Sequence, residues 1–349
     1  MLVTSAAARL AAAQDTTVVA HAPPPPLPVQ VHGFLEVYYR AGDPTARDGY
    51  RLRKADLKFS GDLSPELRWR VTFDAAKALS LNTTTTEVGD TAALAAAAID
   101  QKSRILQDAA LTYQFNRDAN VDVGQQVIPL TLEGSIPTYE VETIERANFI
   151  VERSRAVGLG DVRDIGVSAN GKALNLLEYH AGLFNEAGDD QGSTDPNDQK
   201  TVIGRLVLHP PIIPGLQFGG SGAFQGGPAK VHRERLGGEA QYKVPFFTLR
   251  AEAMGARDGL LHRFGWYGLG AVRPTKQLQL VARYDAWDRD LSNNDALNNA
   301  FERSIVVGGS YALSNAPARF AINLVRQDFP NVTTVPSGTF LLVAFEGAW

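Results

Sequence analysis

Leu67-Arg68-Trp69-Arg70-Val71-Thr72-Phe73-Asp74 alternates a large apolar residue with a polar or charged one at every step. A period of two places Leu67, Trp69, Val71 and Phe73 on one face of a β-strand, and Arg68, Arg70, Thr72 and Asp74 on the other. A strand with one wholly apolar and one charged face suits lipid on one side and a wetted lumen on the other. Hydrocarbon offers no hydrogen-bonding partner to a free edge, so such a sheet is expected to close on itself.

Outward from this stretch the alternation recurs. Within about Val29–Arg40, Val31, Leu35, Val37 and Tyr39 oppose His32, Phe34, Glu36 and Tyr38; within about Tyr50–Ser60, Ala55, Leu57 and Phe59 oppose Lys54, Asp56 and Lys58. Further segments are read near Ala109–Phe115, Val121–Val127, Ile165–Ala169, Leu174–Phe184, Thr201–His209, Leu216–Phe224, Leu236–Val244 and Phe246–Ala256. Others fall near Phe264–Val272, Leu278–Asp285, Arg303–Tyr311, Arg319–Gln327 and Phe340–Trp349, whose aromatic end suits outer-membrane assembly. The fold class is therefore all-β, a transmembrane antiparallel β-barrel of about sixteen strands.

The connections sort by length. Short ones carry turn chemistry: Gly61-Asp62-Leu63-Ser64-Pro65, Asn116–Asn120, Pro210 to Pro214, Pro245, Arg273-Pro274-Thr275-Lys276 and Ser314-Asn315-Ala316-Pro317. Asn170-Gly171 reads as a hairpin turn. Long ones alternate with them at Ala75–Arg104, Pro129–Asp164, Asn185–Lys200 and Trp287–Glu302. In the first, Thr83–Thr86 suggests a polar tip and Ala92–Ala98 a turn or two of helix. The longest, Pro129–Asp164, has Val141, Ile144, Asn148 and Val151 at helical spacing. A loop of this length in a compact fold is usually functional, and its expected place is folded into the lumen.

Composition narrows the classes. Of 349 residues, 44% are hydrophobic and 21% charged, an ordinary balance, and no apolar run reaches the length of a membrane helix. With no cysteine there are no disulfides, thiolate nucleophiles or Cys-based zinc sites. A net charge of −4 argues against a nucleic-acid partner. The six histidines, at 21, 32, 180, 209, 232 and 262, lack zinc spacing. Asp189, Asp190, Asp195 and Asp198 share one loop, which reads as solvated more readily than as a calcium site. No Gly-x-Ser-x-Gly elbow marks a hydrolase, and no cofactor or metal is expected. Residues 1–28 read as a signal-peptide remnant ending near Ala11-Ala12-Ala13, then a Pro-rich spacer over Pro23–Pro28, with the barrel domain at 29–349.

The inner faces carry the candidate site. Lys54, Lys58, Arg68, Arg70, Arg205, Arg250, Arg283 and Arg319 fall opposite the apolar faces, as do Arg40 and Lys243. Arg146, Arg153, Arg155 and Arg163 belong to the longest connection. Cations lining a narrow wetted tunnel attract anions. Glu36, Asp56, Asp74, Asp108, Glu239, Glu252 and Asp285 share those faces, and Glu140, Glu142, Glu145 and Glu152 share the loop. A mutually neutralised, unselective lumen is the alternative.

Several motifs resemble one known family. Gly124-Gln125-Gln126-Val127-Ile128-Pro129 followed by Glu133, then Glu145-Arg146 and Arg163-Asp164-Ile165-Gly166, match its central elements. Tyr179-His180-Ala181-Gly182-Leu183-Phe184-Asn185, Gly204-Arg205-Leu206 and Leu52-Arg53-Lys54-Ala55 match others. Gln126 and Val127 stand where its pattern has an aromatic residue and Lys. Over residues 30–349 the chain is similar to the phosphate-selective porin O and P family of Gram-negative outer membranes. The resemblance implies a sixteen-stranded barrel set in outer-membrane lipid, an inward-folded third loop and a homotrimer. It also implies passage of phosphate or other small anions past arginines and lysines, with Arg146 and Arg163 near the constriction. The reading is a passive, anion-preferring diffusion pore. Its alternatives are an unselective or cation-preferring general porin and, less favoured, an outer-membrane barrel enzyme.

Overall fold

The computed structural model describes residues 29–44, 46–77, 81–88, 91–99, 105–150, 159–160, 162–174, 176–185, 199–226, 233–293, 300–332 and 336–349. The strands are β1 Gln30–Ala41, β2 Gly49–Asp62, β3 Leu67–Asp74, β4 Leu81–Val88, β5 Thr91–Ile99 and β6 Leu106–Asn116. They continue as β7 Ala119–Val127, β8 Arg163–Ala173, β9 Leu177–Phe184, β10 Lys200–Leu208, β11 Leu216–Gly226 and β12 Arg233–Val244. The last six are β13 Phe247–Asp258, β14 Leu261–Val272, β15 Leu278–Asp288, β16 Phe301–Ala312, β17 Ala318–Asp328 and β18 Gly338–Ala348.

Sixteen of these strands, β1–β3 and β6–β18, form a closed antiparallel barrel in which neighbours in sequence are neighbours in space. Closure pairs β1 with β18, from Phe34 opposite Ala348 to Ala41 opposite Leu341. Among the described residues no helix is long and apolar enough to cross a membrane; the crossing elements are strands.

Alternation sorts the faces as the sequence implies. Outward-facing Val202, Leu206, Phe218, Leu249, Phe264, Ile305, Phe320 and Ile322 are exposed large apolar residues, a surface that only lipid or another subunit would cover favourably. Their neighbours Ile203, Arg205, Arg250, Arg263, Ser304 and Ala321 face inward and are buried.

Turn chemistry sets the short ends. Asn116 Oδ1 accepts the Asp118 N–H at 2.8 Å in the two-residue turn from β6 to β7. Thr275 Oγ1 accepts the Gln277 and Leu278 N–H groups at 3.3 and 3.0 Å before β15. The Gly124-Gln125-Gln126 element is a strand irregularity. Gly124 has φ +128°, and a Cβ there would lie 2.2 Å from the Ala109 carbonyl oxygen, so the position requires glycine. Next to it, Gln125 Nε2 donates to the Leu106 and Gln107 carbonyls at 2.7 and 2.8 Å.

Three expectations are corrected. The Ala92–Ala98 run is strand β5, paired with the threonine run so that Thr83 opposes Ala97 and Thr86 opposes Ala93. Six alanines and a leucine are too few to offset helix nucleation, whereas β-branched threonines favour an extended partner. Asn170-Gly171 is not a turn. Both lie in β8 opposite His180 and Tyr179, and the chain reverses at 174–176, where Leu174 adopts φ +56°. The Asn170 amide instead bonds across the sheet to Asn120 and Asp122. No helix covers 141–150. The segment has only α1 Leu132–Ser135, capped by the Thr131 hydroxyl, and a 3₁₀ turn at Thr138–Glu140. The helical spacing there reports contacts on two sides of an irregular chain. The expected export segment at 1–28 and the acidic loop with Asp189, Asp190, Asp195 and Asp198 lie outside the described residues.

One close approach ties the 128–150 segment to the wall. A Cβ on Gly265 would lie 2.3 Å from the Phe149 Cβ. Gly265→Ala should therefore cost about 1–3 kcal/mol by overpacking, lower the thermal midpoint and raise proteolysis of this segment. Adding Phe149→Ala should reverse part of the loss. An unchanged midpoint and digestion pattern for Gly265→Ala would contradict the contact.

Candidate functional site

The inward wall divides into two parts. Over β9–β18, β1 and part of β2 it is contacted by residues 128–150, 159 and 162 of the chain between β7 and β8. Ile128, Leu130, Phe149, Ile150, Leu159 and Val162 from that chain cluster with Phe184, Ile203, Met254, Tyr267, Leu269 and Trp287 from the wall. Ile144 does the same with Tyr38, Val306, Val325, Phe340 and Leu342. Each such side chain taken from water contributes roughly 1.5–3 kcal/mol.

Charge fixes what burial collects. The Leu132 and Glu133 N–H groups donate to the Glu252 carboxylate at 2.5 and 2.9 Å, and the Tyr267 hydroxyl donates to it at 2.8 Å. Arg250 grips Glu142 through both terminal nitrogens at 2.9 and 3.1 Å, with both side chains fully buried. Arg283 donates to Asp285 at 2.9 Å and to the Thr143 hydroxyl and Glu145 carbonyl at 2.7 Å each. Asn323 accepts the Ile144 N–H at 2.8 Å. Arg319 donates to the Val141 carbonyl at 2.8 Å while paired with Glu346 at 2.9 and 3.0 Å. A buried pair with every donor directed at an acceptor is tolerated; a lone buried charge is not.

The sequence-derived candidates thus separate by environment. Arg205, Arg250, Arg283 and Arg319 are enclosed in ion pairs; Arg205 meets Glu239 at 3.0 and 2.5 Å. Arg146 is buried and donates to the Glu133 and Ile136 carbonyls inside its own loop. Arg163 donates to Asp108 at 3.1 Å. Arg153, Arg155 and Val151 lie outside the described residues.

Over β2, β3 and β6–β8 the inward wall is less covered: Asp74, Gln107, Gln126, Asp164 and Ser168 are buried, but Lys58 and Arg68 are exposed and Lys54 and Arg70 half-buried. Lys54 lies 3.8 and 3.9 Å from Asp56 and Asp74. Arg68 pairs with Asp62 at 2.9 Å, both well exposed. Arg70 bonds Thr112 at 3.0 Å and reaches Asp122 at 3.4 Å. Lys58 is exposed opposite His32 on β1 and Thr72 on β3, with no ion-pair partner among the described residues. Lower on the same wall, Glu178 is shared by His180 at 2.9 Å, His209 at 3.6 Å and Lys172 at 3.9 Å. Among the described residues no group of three or more His, Cys, Asp or Glu is placed to hold a metal ion.

Arg53 is the residue that strict alternation misplaces. A register shift between Glu36 and Val37 makes it the extra residue of β2, which turns it inward. There it holds Glu36 at 2.7 Å and donates to the Ile144 carbonyl.

A closed sixteen-stranded wall, apolar outside and charged inside, defines an outer-membrane β-barrel channel. A family described as phosphate-selective porin O and P matches residues 28–225. The chain belongs to this family and is an outer-membrane porin. No protein of curated description matches it. Among solved structures it is similar to an anion-selective porin from Comamonas acidovorans (13% identity, TM-score 0.62, 93% of this chain and 100% of that one). It is likewise similar to Salmonella typhi OmpF in complex with daunomycin (10%, 0.61, 92% and 97%). A third is the trimer form of OmpT, an outer membrane protein of Vibrio cholerae (10%, 0.59, 93% and 100%). At these identities the likeness is one of fold.

Arg250→Ala should strand the Glu142 carboxylate in a dry site at a cost of about 3–5 kcal/mol. The expected outcome is a barrel that still shows heat-modifiable mobility but has a larger, noisier single-channel conductance. Conductance and noise equal to wild type would contradict the anchoring role.

Proposed function

We propose that this porin is a passive diffusion pathway that favours small anions, with residues 128–150 folded into the lumen as its constriction. The observation that carries the reading is the sorting of charge. Residues 128–150 lie against one part of the inward wall through buried pairs, while on the other Lys58 and Arg68 are exposed and Lys54 and Arg70 half-buried. The accessible carboxylates Asp56, Asp62 and Asp122 each lie beside one of these bases, and Lys58 is left over. Cross-strand diagonal neighbours are about 7–8 Å apart, comparable with a Debye length of about 8 Å at physiological salt. Lys58 and Arg70 are such a diagonal pair, because Lys58 opposes Thr72 and Arg70 opposes Ser60, and they act as one field, strengthened by the low-dielectric wall. An anion is drawn along them and released because no single contact is strong. No covalent step is involved.

The family description supports anion passage, as does the Comamonas acidovorans relative, whose own name states anion selectivity. The trimeric form of the Vibrio cholerae relative supports a homotrimer in lipid. Phosphate is one candidate permeant, and competition with chloride decides it.

Reversal potential across a KCl gradient in a planar bilayer tests the reading. The wild-type channel should favour chloride, and the preference should shrink between about 0.1 and 1 M salt as the Debye length falls from about 10 to 3 Å. Lys58→Glu combined with Arg70→Gln should push the potential toward the cation side. A wild-type potential at zero or on the cation side would instead mark an unselective or cation-preferring porin.

A further inference from the structure

The 128–150 segment is buried almost throughout, and its exception is informative. Ser135, Pro137, Tyr139 and Glu140 are exposed, and Tyr139 is 51% accessible. Its aromatic companion in the same segment, Phe149, is fully buried. The Tyr139 ring lies 6.1 Å from that of Phe34, tilted by 54°. Phe34 faces inward on β1 at 6% exposure, so it backs Tyr139 and leaves the other side of the phenol open. Phe34 is paired with Asp56 on β2, and Lys58 is the next inward residue along that strand. Lys58 therefore stands one cross-strand diagonal from Phe34, the ring that backs Tyr139.

We propose that Tyr139 and Lys58 form a subsite for aromatic monocarboxylates, benzoate being the simplest. This deepens, and rests on, the reading of the chain as an anion-preferring porin constricted by this segment. Tyr139 offers an offset or edge-on face to a ring, and Lys58 offers a point charge to the carboxylate. The exposed carboxylate of Glu140, next to Tyr139, and that of Asp56 oppose a second negative charge on the permeant, so a monoanion is preferred to a dianion. Aromatic contact at an accessible site supports at most about tenfold retention, which is compatible with onward passage.

The test compares potassium salts of chloride, benzoate and cyclohexanecarboxylate in planar bilayers, the two carboxylates being alike in charge and size but not in π face. Benzoate should be severalfold more permeant relative to chloride than cyclohexanecarboxylate is. Tyr139→Leu should remove that advantage, Tyr139→Phe should keep it, and Lys58→Gln should lower entry of both carboxylates. A chloride-favouring channel without a benzoate advantage, or an advantage that survives Tyr139→Leu, overturns the subsite alone. A potassium-favouring channel overturns the anion reading together with the subsite built on it.

Discussion

The structure depends on the way buried guanidinium groups and carboxylates are matched between the 128–150 segment and the barrel wall. The wall itself needs only strand pairing, which closes from β1 to β18. An irregular segment laid against that wall has no ladder to satisfy its backbone. Glu252 accepts two of its N–H groups, Arg283 and Arg319 hold three of its carbonyls, and Asn323 accepts another N–H. Arg250 and Glu142 then meet with no water around either. Replacing any of these by an apolar group of the same size would leave its partner buried and alone, which costs more than the pair contributes. Apolar contacts supply attraction; the polar matches supply position.

The same matching makes the lumen asymmetric. Arg250 and Arg283, which seat the segment, are withdrawn from solvent, and Arg53 and Arg319 largely so, which neutralises the inward face where the segment lies. A count of inward arginines and lysines overstates the field that a passing ion meets. On the proposed anion reading, the charges that matter are those on β2 and β3, where Lys58 and Arg68 are exposed. Selectivity in such a pore is a property of what the fold leaves unpaired.

Much of this was legible in the sequence. The period of two in Leu67–Asp74, repeated along the chain, located all sixteen barrel strands, because lipid on one side and water on the other impose the alternation directly. The long 129–164 connection was also visible by its length, and its described part, 128–150, contacts the inward wall. What escaped were features set by contacts rather than by periodicity. Asn170-Gly171 carries a strong local turn signal, yet pairing with His180 and Tyr179 overrode it. A one-residue bulge turned Arg53 inward and defeated simple alternation. The division of Lys58 and Arg68 from Arg205 and Arg250 was invisible, since all four have the same parity and composition. Only the course of the covering segment separates them, and that course is fixed by partners far away in sequence, such as Glu252 and Asn323.

The central claim is that residues 128–150 cover one part of the inward wall and leave another wetted. Because the chain has no cysteine, single cysteines can be placed at Lys58, Arg68 and Arg70 on one wall and at Ile203, Leu269 and Val306 on the other. Labelling of the folded, membrane-inserted protein by a charged, water-soluble thiol reagent tests the claim directly. The account predicts rapid labelling at the first three positions and protection at the second three. Equal labelling at all six would contradict it.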